Sequence, residues 1–244
     1  MKKTSTLLLA GMIAGGASAK IDSGFYAGLG ASWNVNKYKH DVTGIDNNLY
    51  FTPEIYTFKF KKNTIAPEIF LGYLCVGKSF AWAPEIHIGQ NMGTANSRNV
   101  LSNPNKDNVY QTARVKKRLN VGVDLKLGKI IRDSTFVYGV LGLDMSRYKV
   151  SYKQDEIHHG QVDSTRTHSP SAKYVPGLKV GAGADFYTTQ NLFVGGEVSY
   201  LFRSKSIKSS NTIVAAGSAI DLSATNKVKP KNGLAVKVKV GWKF

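Results

Sequence analysis

Gly233-Leu234-Ala235-Val236-Lys237-Val238-Lys239-Val240-Gly241-Trp242-Lys243-Phe244 alternates without a break. Leu234, Val236, Val238, Val240, Trp242 and Phe244 share one face; Ala235, Lys237, Lys239, Gly241 and Lys243 share the other. A period of two is the signature of a strand. Its length matches the roughly 9–11 residues that a tilted strand needs to cross a bilayer. The apolar face ends in aromatic side chains, where a membrane interface would lie.

Working outward, seven earlier segments follow the same rule: 24–35, 65–76, 80–91, 114–128, 135–150, 174–186 and 192–203. In the first, Phe25, Ala27, Leu29, Ala31, Trp33 and Val35 oppose Tyr26, Gly28, Gly30, Ser32 and Asn34. Ala-Pro-Glu-Ile occurs at 66–69 and again at 83–86, so each arm of one hairpin places a glutamate on its polar face. Polar stretches at 37–63, 91–113, 151–173 and 204–232 read as long loops, the first of them either wholly loop or loop with strand extensions, and the intervening connections are short turns. Long loops at one end and short turns at the other predict an all-β, eight-stranded antiparallel up-and-down transmembrane β-barrel. The loops are then extracellular and the turns periplasmic.

A soluble barrel of the lipocalin kind alternates too, with its apolar face inward. Three features favour the inverted arrangement. Glycines crowd the polar face (Gly28, Gly30, Gly72, Gly89, Gly181, Gly183 among them), making room for charged side chains in a narrow lumen. Large aromatics (Trp33, Trp82, Tyr200, Trp242, Phe244) stand on the apolar face near strand ends. The four long polar segments fall at one end.

Residues 1–19 read as a cleaved secretory signal: Lys2 and Lys3, an apolar stretch at 7–14, then Ala17-Ser18-Ala19. Residues 20–244 form one barrel domain on this reading. No apolar run is long enough for a transmembrane helix. Cys75 is the only cysteine, which excludes an internal disulfide. The formal charge of +17 would suit a nucleic-acid binder, but it is spread over strands and loops alike, so no nucleic-acid partner is expected.

The inward face is expected to carry Glu68, Glu85, His87, Asp124, Asp144, Asp185 and Glu197 together with Arg114, Lys116, Arg118, Lys126, Lys179, Arg203, Lys237, Lys239 and Lys243. Opposed charges in a narrow lumen should pair, because an unpaired buried charge is costly. The result is either an ion-paired plug or a narrow pore that leans toward anions. Lys205, Lys208, Lys227, Lys229 and Lys231 make the last loop basic. They are a solvated surface, or they attract lipopolysaccharide phosphate or an acidic host glycan. His158, His159 and His168 near Asp155, Glu156 and Asp163 supply metal-ligand types, but adjacent histidines diverge, and neither a metal nor another cofactor is expected. No arrangement of Ser with His at the strand ends supports catalysis.

The opening Gly24-Phe25-Tyr26-Ala27-Gly28-Leu29-Gly30, the two Ala-Pro-Glu segments, Gly181-Ala182-Gly183-Ala184-Asp185, the strand 192–200 and the terminal Gly241-Trp242-Lys243-Phe244 together resemble small outer-membrane β-barrels of the opacity and surface-antigen type, related to the transmembrane domain of outer-membrane protein A. The resemblance implies a Gram-negative outer-membrane surface protein that spans the membrane several times, with exposed loops used for adhesion or antigenic contact. It further implies that Val240, Trp242 and Phe244 carry the signal read by the barrel-assembly machinery.

Overall fold

The computed structural model describes residues 20–46, 55–102, 108–158, 161–167, 171–214 and 221–244; the expected signal segment lies outside them. The strands are β1 (Gly24–Asp46), β2 (Ile55–Val76), β3 (Ala81–Gln90), β4 (Ala95–Ser102), β5 (Asn108–Ile131) and β6 (Thr135–His158). They continue with β7 (Gln161–Thr167), β8 (Ser171–Tyr187), β9 (Leu192–Phe202), β10 (Ile207–Val214), β11 (Asp221–Pro230) and β12 (Gly233–Lys243). Eight of them close a ring in the order β1-β2-β3-β5-β6-β8-β9-β12, every neighbouring pair antiparallel. The seam joins the first and last strands from Tyr26 opposite Lys243 to Val35 opposite Leu234. Closure leaves the ring itself without a free edge.

Through the body of the ring the alternation sorts side chains as expected. Leu29, Leu143 and Val238 are each 62% exposed on the outside, whereas Glu85 and Lys126 are 1% and 0% exposed on the inside. The outward apolar band on β12, from Leu234 to Phe244, is roughly 33 Å along the strand and about 25 Å high at the usual tilt. That is the height of a bilayer's hydrocarbon. Glycine is required on the inner wall where an aromatic ring lies against the backbone. A methyl group on Gly28 would overlap the Val240 carbonyl and the Phe70 ring, and one on Gly241 would overlap the Phe193 ring.

The structure departs from the expectation beyond the band. The segments read as long loops are largely paired strand. The first hairpin continues to Thr43 opposite Ile55; β4 pairs β5, β7 pairs β6, and β10 pairs β11, which in turn pairs β1. The cause is a change of solvent. Above the band the outside is water, so Tyr38, Ile207 and Val228 turn inward while Lys37, Lys39 and Lys59 turn outward. The period of two persists with its chemistry reversed.

Two apolar clusters therefore sit inside the barrel. Tyr26, Phe70, Leu74, Phe136, Tyr138, Tyr187 and Phe193 fill the short-turn end, joined by Ile21 from the N-terminal segment. Tyr38, Val115, Tyr148, Val150, Tyr152, Val175, Ile207 and Val228 fill the extended end. The charged lumen lies between them.

Candidate functional site

The lumen charges form four linked groups. Glu85 projects from β3 and pairs with Lys126 of β5. Its carboxylate also accepts a hydrogen bond from the Tyr26 hydroxyl at 3.0 Å. Lys237 lies 3.1 Å from Glu68 and 3.7 Å from the second oxygen of Glu85, and Ser32 donates to Glu68 at 2.6 Å. A second group joins Lys239 to Asp185 at 2.8 Å, with the Tyr138 hydroxyl donating to the same carboxylate at 3.0 Å. In the third, Lys179 bridges Asp124 at 2.6 Å and Glu197 at 3.0 Å, and His87 Nδ1 stands 3.1 Å from Asp124. In the fourth, Arg203 lies 3.2 Å from Asp144, which also accepts from Ser146 at 2.5 Å.

Aromatic rings supplement the carboxylates. Lys126 Nζ sits 5.2 to 6.0 Å from the ring centroids of Tyr138, Tyr26 and Phe70. These are cation–π distances, with the ammonium withdrawn from water. Above the ion pairs, Asn36 donates to Thr64, Thr64 to Asn91, and Asn91 to Asn120, at 2.9, 3.2 and 3.1 Å. The cavity among Ser32, Glu68, His87, Lys117 and Lys237 measures about 20 Å³, room for one water. With apolar clusters on either side, the described interior is filled by side chains.

The lumen thus gathers Glu68, Glu85, His87, Asp124, Lys126, Asp144, Lys179, Asp185, Glu197, Arg203, Lys237 and Lys239. Lys243 is also inward and donates to the Asp22 carbonyl at 3.1 Å. Histidine 87 meets Asp124 on the neighbouring strand. Arg114, Lys116 and Arg118 are the correction: they point outward. The β5–β6 register shifts between Lys117 and Asn120, and a bulge of this kind carries side chains to the opposite face. Lys117 is buried in their place. Three consecutive cations at 116–118 interrupt the alternation, and that interruption was the available signal. Tyr26 and Ser32 stand on the polar face as expected but their bonds to Glu85 and Glu68 were not foreseen; Thr64, Asn91 and Tyr138 carried no expectation.

The terminal residues Val240, Trp242 and Phe244 all face outward and are exposed. Of the basic residues read in the last loop, Lys205, Lys208 and Lys231 are exposed and Lys227 and Lys229 half-buried; β10 and β11 hold Lys208, Lys227 and Lys229 on a paired hairpin. Lysine 39 lies 2.9 Å from Asp41. Partial burial alone would raise the Asp41 carboxyl, but hydrogen bonds from Lys39 and Thr57 and the charges of Lys39 and Lys227 hold it below the ordinary carboxylate range. The side chains of Asp155, Glu156, His158, His159, Asp163 and His168 lie outside the described residues, among which no cluster of metal-ligating side chains is found.

The family model for the outer membrane protein β-barrel domain matches residues 5–244. No curated protein sequence matches the chain. Among solved structures, neisserial surface protein A is 15% identical, with 91% of this chain and 99% of that one covered and a TM-score of 0.40. The attachment invasion locus protein Ail of Yersinia pestis is 14% identical over 88% and 99%, with a TM-score of 0.32. The outer membrane protein OprG of Pseudomonas aeruginosa is 12% identical over 93% and 97%, with a TM-score of 0.48.

Proposed function

We propose that this chain, which belongs to the outer membrane protein β-barrel family, is a sealed surface protein that works through its extracellular face. It is a multi-pass protein of the outer membrane, crossing it with the eight ring strands. The observation that carries the reading is the contrast between interior and exterior. The lumen is filled by paired charges between two apolar clusters, while the strands continue past the membrane band and present lysines to the outside. A barrel built this way acts by contact, and acidic host glycans have the chemistry to meet it.

Two measurements test the proposal together. Folded protein should give no sustained conductance in a planar bilayer; steady anion-selective current would favour a pore instead. It should also be retained on heparin, and deleting the 207–230 hairpin should weaken retention. Unchanged retention removes the role given to that hairpin.

A further inference from the structure

We infer that the cations immediately above the outer apolar band form a collar that binds the phosphate groups of lipopolysaccharide in the surrounding leaflet. This goes beyond the contact role proposed above and depends only on the outer-membrane location.

The first observation is register. Lys37 lies opposite Lys61 and Lys39 opposite Lys59. Lys39 also faces Lys229 on its other side, and Lys208 faces Lys227. The backbone of Lys231 donates to the carbonyl of Lys37 at 2.8 Å. Directly opposed side chains in an antiparallel sheet sit about 5 Å apart at Cβ, and like charges there destabilise the pair. Asp41 is the one carboxylate among the described side chains of this face, and it answers Lys39. Four same-sign cross-strand pairs with one acid between them make a face incomplete without an external anion.

The second observation is position. Lys37 lies four residues beyond Trp33, the last exposed large apolar residue among the described side chains of β1. That separation is roughly 13 Å along the strand and about 10 Å in height at the usual tilt. The side chains project sideways from the barrel wall, toward neighbouring lipids rather than toward another cell. Lys37, Lys39, Lys59, Lys61 and Lys231 line a groove of about 540 Å³ together with Tyr38 and Phe60 between them on the strands, large enough for a phosphorylated sugar. The collar continues on the opposite side of the barrel. There Lys116 opposes Lys149, and the bulge in β5 turns Arg114 and Arg118 outward.

The test uses full-length protein extracted from outer membranes in mild detergent, with bound lipopolysaccharide counted per barrel. The variant is Lys37→Gln/Lys39→Gln/Lys59→Gln/Lys61→Gln, and the control is Lys78→Gln/Lys129→Gln at the short-turn end. Neutralising one lysine at a phosphate surface costs about fivefold in affinity, so the variant should retain less than about a tenth of the wild-type amount and the control should retain all of it. Equal retention by variant and wild type overturns the inference. A second arm needs no variant: phosphorylated lipopolysaccharide, its dephosphorylated form and inorganic phosphate are each added to delipidated wild type. The phosphorylated lipid alone should raise the temperature at which the folded band is lost on gels. An equal shift from the dephosphorylated lipid shows apolar contact only, and an equal shift from inorganic phosphate removes the lipid as the source; either result overturns the inference. The heparin test bears on the β10–β11 hairpin and can fail while this one succeeds.

Discussion

Replacing Glu85 by Leu should cost more than almost any other single change in the barrel. Both members of the Glu85–Lys126 pair are fully buried, and the rings of Tyr26, Phe70 and Tyr138 surround the ammonium. Phe193 and Tyr187 close the space below it. Water therefore cannot replace the lost carboxylate without breaking the plug. Removing one partner of a buried pair costs about 3–5 kcal/mol, because the other charge is left behind. Lys126→Met should fall at the lower end of that range, since Glu85 keeps the Tyr26 hydroxyl and Lys237 as partners. The double variant Glu85→Leu/Lys126→Met removes both charges and should return to within about 1 kcal/mol of wild type. The cycle is measured by urea unfolding in phospholipid bilayers, followed through tryptophan fluorescence and gel mobility. Trp33, Trp82 and Trp242 all face outward and report loss of the lipid environment. Additive single effects, or singles within about 0.5 kcal/mol of wild type, would refute the claim that this pair is sealed from water.

Lys179→Met takes the cation from Glu197 and leaves Asp124 with His87 alone, and should destabilise by about 3–5 kcal/mol in the same unfolding assay. Gly28→Ala should abolish the fast-migrating folded form on unboiled gels, because the added methyl group meets the Val240 carbonyl; Gly196→Ala, whose nearest neighbour would be 3.9 Å away, should leave it intact. In a Cys75→Ser background, Arg118→Cys should react with a membrane-impermeant maleimide on whole cells and Lys117→Cys should not; the reverse pattern would remove the bulge between Lys117 and Asn120. Removing Phe244, whose ring is 73% exposed at the end of the seam strand, should lower the yield of folded barrel in cells without lowering the stability of what does fold, if the terminal residues are an assembly signal.

The barrel was legible because burial in a one-layer wall depends on parity alone. Once Phe25, Leu29 and Trp33 are placed outside, Tyr26, Gly28 and Ser32 follow inside with no knowledge of the neighbours. Partner choice was not legible. Glu85 lies across the sheet from Asp124 and Gly72, yet its ion pair is with Lys126. Strand tilt decides which side chain reaches which, and tilt is a property of the closed ring. The face of Arg114, Lys116 and Arg118 was misread for a related reason. One inserted residue near Lys117 reverses parity while hardly altering local composition.

The extended hairpins were hidden by an assumption about solvent. Lys37, Lys39 and Asp41 alternate with Tyr38 and His40, and Thr57, Lys59 and Lys61 alternate with Phe58 and Phe60. These are ordinary strand patterns with the polar face outward, but a rule tuned to lipid on the outside sees only polar residues and reads a loop. The place where the chemistry reverses is therefore itself information. On β1 the outward face changes from Trp33 to Lys37, and on β2 from Ile65 to Lys61, and these residues lie directly opposite one another, so both strands place the leaflet boundary at the same register. Inside the barrel the same boundary divides paired ions from the cluster around Tyr148 and Ile207. A chain that keeps one geometry across two solvents must change its side chains at the border. The cations gathered there occupy the height at which the outer leaflet carries its own negative charge.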